Sequence, residues 1–188
     1  MIKDVTEIIK NLDRYNHDPK NILDIGCYGL KGLGGSGQII KSYYDTSNIT
    51  GVNWMNKLNG QFPKIKFHEM DFFDFKSNEQ FDFIFCDLGW EGQLQLIEND
   101  LKNKLHSMLS PGGFVLFYVF VTNKYAGDAG HVGISEHLLN EWGWPATRGK
   151  MTIGHLWDRL STKYNYQLIS VDYEQRDYIA WVLMKKRL

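Results

Sequence analysis

NILDIGCYGLKGLGGSG, residues 21–37, decides the fold. A short apolar run, Ile22, Leu23 and Ile25, carries one acid, Asp24, and then breaks into glycine. A buried parallel strand ends in this way when the next turn must press its backbone against a ligand, because glycine adds no side chain. The stretch contains a literal G-x-G-x-x-G, Gly32-Leu33-Gly34-Gly35-Ser36-Gly37, the string that cradles a dinucleotide pyrophosphate. A dinucleotide loop follows its strand at once. Here the strand ends at Ile25–Gly26, several residues earlier.

Outward from this stretch, strand and helix patterns alternate without repeats or low-complexity tracts. Val5, Ile8, Ile9 and Leu12 are spaced for one face of a helix, predicted over 2–14. Strands are predicted at 21–25, 49–53, 65–70, 81–87 and 114–121, with a helix from Gly35 to Tyr44 after the glycine loop. Leu94, Leu96, Ile97, Leu101, Leu105 and Met108 predict a helix that Pro111-Gly112-Gly113 stops. A helix over 152–164 and two closing strands at 166–171 and 178–184 complete the chain. Strands separated by helices of this length predict an α/β fold, a doubly wound, mostly parallel sheet of seven strands with helices on both faces. The closing strand–short turn–strand makes the last strand antiparallel. Residues 1–188 read as one domain, with an insertion or lid at 122–150.

Composition sets bounds on function. A chain of 188 residues, 43% hydrophobic and 23% charged, buries an ordinary core without staples. No run approaches the roughly 20 apolar residues of a membrane span. The amphipathic, charged start MIKDVTEIIK is no secretory signal, so a cytoplasmic location is expected. Two cysteines, Cys27 and Cys86, are too few for a zinc cluster and suit a reducing compartment, and the six histidines form no i, i+4 pair, so no metal is expected. A net charge of −1 counts against gripping nucleic acid by electrostatics alone.

Leu23-Asp24-Ile25-Gly26-Cys27-Tyr28-Gly29 resembles the first motif of the Rossmann-like (class I) S-adenosylmethionine-dependent methyltransferases. Asp24 and Gly26 match, Tyr28 stands where a second glycine is usual, and Gly29 follows one place late. The resemblance implies S-adenosylmethionine as cofactor, held by Asp24, Gly26, Cys27, Tyr28 and Gly29. Ligands in such sheets lie across the carboxyl ends of the strands. At the end of strand 2 the family usually has an acid on the ribose hydroxyls; this chain has Asn53, whose amide is expected to accept one ribose hydroxyl, with a plain turn residue as the alternative, and which departs from the acid of an NAD fingerprint. At the end of strand 3 the resemblance puts Asp71 on the adenine amino group and Phe72 on the ring. The alternative makes Asp71 a loop cap and Phe72, Phe73 and Phe75 core aromatics. Strand 4 ends on Asp87, an acid that closes an otherwise apolar strand and is costly there unless it binds something. Asp87 is expected to touch the cofactor and to orient the acceptor or its proton, with Glu91 second.

The segment Phe81–Gly92, FDFIFCDLGWEG, is similar to the corresponding part of viral RNA cap ribose 2′-O-methyltransferases. The loop Lys31–Gly37 is similar to that of the coronavirus-type enzymes. Their Lys–Asp–Lys–Glu tetrad carries over with Asp87 as the aspartate and Lys3 or Lys10 as the first lysine. Tyr118 stands at the second lysine and Asp177 near the glutamate, so Asp87, Tyr118 and Asp177 are the expected catalytic positions. Residues 122–150 concentrate Tyr125, His131, Trp142, Trp144, Arg148 and Lys150, a mixture suited to a planar, anionic partner. Its alternative is a short helix, Ser135–Trp142, packing Leu138, Leu139 and Trp142 on the sheet. Glu91, His131, Trp144 and Arg148 are the expected acceptor contacts. The expected acceptor is an oxygen on RNA or a nucleotide, with a small molecule as the alternative. A nucleotide-binding oxidoreductase and a catalytically inactive partner subunit are the competing classes.

Overall fold

A computed structural model of the chain describes residues 8–10, 12, 14–15, 17–27, 35–55, 58, 60–87, 100–120, 164–173 and 179–188. Near-continuous runs of apolar residues make its central strands, as a sheet covered on both faces requires. The elements are β1 (Asn21–Ile25), α1 (Gly35–Tyr43), β2 (Asn48–Asn53), β3 (Lys66–Glu69), β4 (Phe81–Cys86), α2 (Asp100–Met108), β5 (Leu109–Phe120), β6 (Tyr166–Tyr173) and β7 (Ile179–Lys186). They form one sheet of seven strands in the order β3-β2-β1-β4-β5-β7-β6. The first five strands pair in parallel, while β7 is antiparallel to both β5 and β6. Strand β6 thus runs with the parallel set, and β7 alone is reversed. The doubly wound sheet expected from the sequence is the one observed.

Side-chain alternation along the strands feeds two cores. Ile22, Phe83, Phe85 and Leu116 meet Ile8, Leu12, Ile39 and Ile40 from the amino-terminal helical residues and α1. Leu23, Ile25, Ile84 and Val115 meet Leu105 and Met108 of α2 on the opposite face. Helices therefore cover both faces. Cys27 and Cys86 are buried thiols that belong to different cores. Among the described residues, no helix is long and apolar enough to cross a membrane.

The sheet departs from expectation at the start of β5. Pro111-Gly112-Gly113 reads in the sequence as a helix stop followed by a strand at 114. Instead α2 ends at Met108 and β5 begins at Leu109, so the glycines lie inside the strand. Between paired positions β4 advances from Phe81 to Phe83 while β5 advances from Leu109 to Phe114, a bulge. Gly112 absorbs it with φ of 78°, and a Cβ on Gly113 would come within 2.9 Å of the Asp82 carbonyl. Strand β4 stops at Cys86, leaving Asp87 just beyond it. The insertion at 122–150 and all but Tyr164 of the helix expected at 152–164 lie outside the described residues.

Candidate functional site

The order of the strands reverses at β1, with β2 on one side and β4 on the other, so the switch-point crevice lies beyond Ile25 and Cys86. Gly26 makes the turn there. Its φ is 78°, and a Cβ would stand 2.1 Å from the Asp87 carbonyl oxygen. The close approach is bonded: the Asp87 N–H donates to the Ile25 carbonyl at 3.0 Å, and the Gly26 N–H donates to Val52 at 2.9 Å. Gly26 is therefore required by the protein's own backbone, before any ligand is considered.

Asp24, one row below this turn, is fully buried. Its Oδ2 accepts the Ser36 hydroxyl, from the first turn of α1, at 2.7 Å. Its Oδ1 has no partner among the described residues. Burial pushes this carboxyl up to about 7, the nearby Asp87 adds to the rise, and Ser36 and Cys27 oppose it by hydrogen bonding. A buried carboxyl with an unused oxygen carries a desolvation cost that a donor or cation above it would relieve.

Asn53 closes β2 and is buried. Its Nδ2 donates to the Cys27 carbonyl at 3.0 Å, and its Oδ1 accepts the Met55 N–H at 3.3 Å. The amide braces the β1 turn against β2, a bond that the acid usual at this position has no proton to make. Beside it Trp54 is 65% exposed, and Met70, at the end of the neighbouring β3, is 37% exposed. These two apolar side chains at the carboxyl rim escaped the sequence reading. The available signal was a tryptophan directly following the end of a strand.

After β3, Asp71 is exposed and its Oδ1 accepts the Phe73 N–H at 2.9 Å, so it does cap its loop. Phe72 is 5% exposed and packs in the core beside Phe75, with the Lys104 ammonium 4.6 Å from its ring centre. The core reading of Phe72 is the one the packing bears out; its ring has little free face for an adenine.

On the other side of the switch point, Asp87 is half-buried. The β4–β5 register ends with Cys86 opposite Phe117, so Asp87 and Tyr118 each follow the last paired residue of their strand. Tyr118 pairs with Trp181 on β7, and Trp181 with Asp172 on β6. The Tyr118 and Trp181 rings are 4.5 Å apart, and Trp181 is buried with its indole nitrogen unpartnered among the described residues. The structure thus brings Tyr118, Trp181 and Asp172 into one row across β5, β7 and β6, with Asp87 just past the end of the neighbouring β4. Asp172, a buried acid in this row, was not among the expected residues. Lys10 is an exposed residue of the amino-terminal helical segment. Lys3, Tyr28, Gly29, Glu91, His131, Trp144, Arg148 and Asp177 lie outside the described residues. Among the described residues no three His, Cys, Asp or Glu side chains converge as a metal site would need.

This strand order, five parallel strands followed by a reversed β7 inserted beside β6, is a doubly wound, Rossmann-like sheet. No protein-family model matches the chain, and no curated protein does. Solved structures do. The N-methyltransferase NodS from Bradyrhizobium japonicum WM9 superposes with a TM-score of 0.58 at 15% identity, over 97% of this chain and 94% of that one. The plantazolicin methyltransferase BpumL, in complex with a triazolic desmethylPZN analogue and S-adenosylhomocysteine, gives 0.63 at 15% identity, over 97% and 83%. The O-methyltransferase TomG from Streptomyces achromogenes, in complex with S-adenosylmethionine, gives 0.59 at 12% identity, over 100% and 82%. At these identities the likeness is one of fold.

Proposed function

We propose that the chain is an S-adenosylmethionine-dependent methyltransferase. The observation that carries this reading is the Gly26 turn over the buried Asp24, set at the switch point against Asp87. The donor set fits the group. Asp24, Glu69, Asp71 and Asp87 all stand at or beside the carboxyl ends of β1, β3 and β4, acids suited to a ligand carrying ammonium and sulfonium charge. Asp24 and the Gly26–Cys27 turn would hold the amino-acid end, and Asp71 the adenine amino group. Trp54, with its exposed ring, would cover the base in place of Phe72. Asn53 braces the floor between them. When bound, the cofactor supplies an activated methyl group. The chain's own work is alignment and proton handling: Asp87 orients the acceptor and holds its proton. Alignment contributes up to roughly 7–11 kcal/mol and a positioned base about 10²–10⁴-fold in rate.

A small-molecule acceptor comes first. Tyr118, its ring against Trp181, cannot serve as the second lysine of the RNA-methylating tetrad, because a phenol carries no positive charge to favour a deprotonated ribose hydroxyl. The neighbours' acceptors point the same way, BpumL holding a desmethylPZN analogue and TomG acting in tomaymycin synthesis. An RNA ribose acceptor is the second reading, favoured by the Phe81–Gly92 segment around Asp87. Melting the protein with S-adenosylmethionine, S-adenosylhomocysteine or NAD tests the cofactor, since a ligand of the folded state raises the midpoint. Stabilisation by NAD alone would assign the fold to an oxidoreductase. Labelled-methyl transfer to capped RNA, uncapped RNA and a metabolite panel then separates the two acceptors.

A further inference from the structure

Lys104 projects from α2 to the turn that follows β3. Its ammonium donates to two successive backbone carbonyls, closely to Phe72 and at 2.8 Å to Phe73, and lies over the Phe72 ring. The same turn is stitched internally by the Asp74 N–H on the Asp71 carbonyl at 3.1 Å and the Phe75 N–H on the Phe72 carbonyl at 3.1 Å. Asp71 adds its own bond to the Phe73 N–H. A lysine side chain gives up much rotamer freedom when fixed, so three simultaneous contacts mark a held geometry.

What Lys104 does not do is equally specific. Burial lowers its pKa, and the fields of Asp74 and Asp71 counter this. The ion pairs among the described residues are Lys20–Asp18, Lys64–Asp45 and Lys66–Glu79, and Lys104 takes part in none of them. Its bonds go to carbonyls, so the Asp71 carboxylate next to it is not consumed by a salt bridge. One carboxylate oxygen caps the turn; the carboxylate itself remains exposed at the rim, beside Met70 and one strand from Trp54.

We propose that Lys104 is a positioning residue for recognition of the cofactor's adenine: by tying the Phe72 and Phe73 carbonyls to α2, it holds the turn that presents Asp71 to the exocyclic amino group. This rests on the reading of Asp71 given above. The contact confers selectivity for a 6-amino purine over a 6-keto purine, because a carboxylate accepts from an amino group and repels a carbonyl oxygen.

The test is calorimetric titration with S-adenosylhomocysteine and with S-inosylhomocysteine, in which a carbonyl replaces the amino group. Wild type, Asp71→Ala, Lys104→Met, Lys104→Arg and the Asp71→Ala/Lys104→Met double variant are compared, each with a melting curve. Wild type should prefer the adenosyl ligand by about tenfold or more, the effect of one buried or charged hydrogen bond. Asp71→Ala should erase that preference. Lys104→Met should reduce it by about fivefold, Lys104→Arg should keep most of it through its two parallel donors, and the double variant should be no worse than Asp71→Ala. If Lys104→Met does not fold, Lys104→Gln, which keeps one donor, takes its place. An equal loss for both ligands makes Lys104 a purely structural anchor and overturns the proposal. A preference that Asp71→Ala erases and Lys104→Met leaves intact also overturns it, with the Asp71 reading standing. If neither variant changes the preference, both fall together.

Discussion

Replacing Asp24 by asparagine should make the protein's stability less dependent on pH, and the size of the effect follows from the burial of that one carboxyl. Asp24 is wholly enclosed, accepts the Ser36 hydroxyl, and has its pKa raised from 3.8 to about 7, chiefly by desolvation. In the unfolded chain the same group loses its proton near 3.8. The folded state therefore binds the proton more tightly. Its contribution is fully present below about pH 4 and is lost as pH rises through 7. At 1.36 kcal/mol per pKa unit, the interval is worth about 4 kcal/mol. The asparagine side chain is nearly isosteric, keeps an acceptor for Ser36, and does not titrate. Urea unfolding of both proteins from pH 4 to pH 8 reads the group, because titrations remote from residue 24 cancel in the difference. The variant should gain on wild type by about 4 kcal/mol across that range, with most of the gain between pH 4 and 7. A difference flat to within about 0.5 kcal/mol would refute the assignment of a protonated carboxyl under the glycine turn. A second readout comes from the cofactor. A cationic ligand above Asp24 favours the carboxylate, so binding at pH 6 should release a proton from wild type and none from the variant.

Other expectations follow from the same geometry. With φ of 78° and a carbonyl 2.1 Å from its Cβ, Gly26→Val should lower the melting midpoint of the free protein, and Gly26→Ala should cost about 1–3 kcal/mol of stability in urea. Asp87→Ala should reduce methyl transfer by roughly 10² or more with cofactor affinity little changed, checked by single-turnover kinetics beside calorimetry. Trp54→Ala should cost about 0.5–1.5 kcal/mol of cofactor affinity and leave the melting midpoint of the free protein unmoved, since the ring is exposed. An unaltered dissociation constant for Trp54→Ala would remove it from the adenine pocket.

The sheet was readable because its strands announce themselves by composition. Ile22–Ile25 and Phe81–Cys86 are apolar runs that a doubly covered sheet needs, and each ends where the chain must turn. Local bond choices were not readable. Nothing in Pro111-Gly112-Gly113 distinguishes a stop from a bulge, because Gly112 at positive φ lets the strand bend and resume pairing at Phe114. The role of Asn53 depends on the β1–β2 register, which sets its amide against the Cys27 carbonyl rather than toward solvent. Ser36 hides as a partner for Asp24 because the two are separated by the glycine loop and meet only when α1 packs back on β1. Asp172 was invisible for a further reason. A register shift between Leu168 and Ser170 flips the parity of β6, and only after it does Asp172 fall on the same face as Trp181 and Tyr118.

The two halves of the site are joined through the glycine turn itself. Because Gly26 lacks a side chain, the backbone of Asp87 can sit against it, and the Asp87 N–H reaches the Ile25 carbonyl. The residue proposed to align the acceptor is thereby bonded to the turn proposed to hold the cofactor. The coupling is electrostatic as well, since the Asp87 charge helps keep Asp24 protonated in the ligand-free protein. A cation over this turn favours both carboxylates: Asp24 can release its proton, and the cation offsets the repulsion that the new Asp24 charge exerts on Asp87. Asp24→Asn should then lower the pKa that governs an Asp87-dependent rate, although residue 24 touches no acceptor. An acidic limb of the pH–rate profile that stays fixed in the Asp24→Asn variant would show that the two carboxyls act independently.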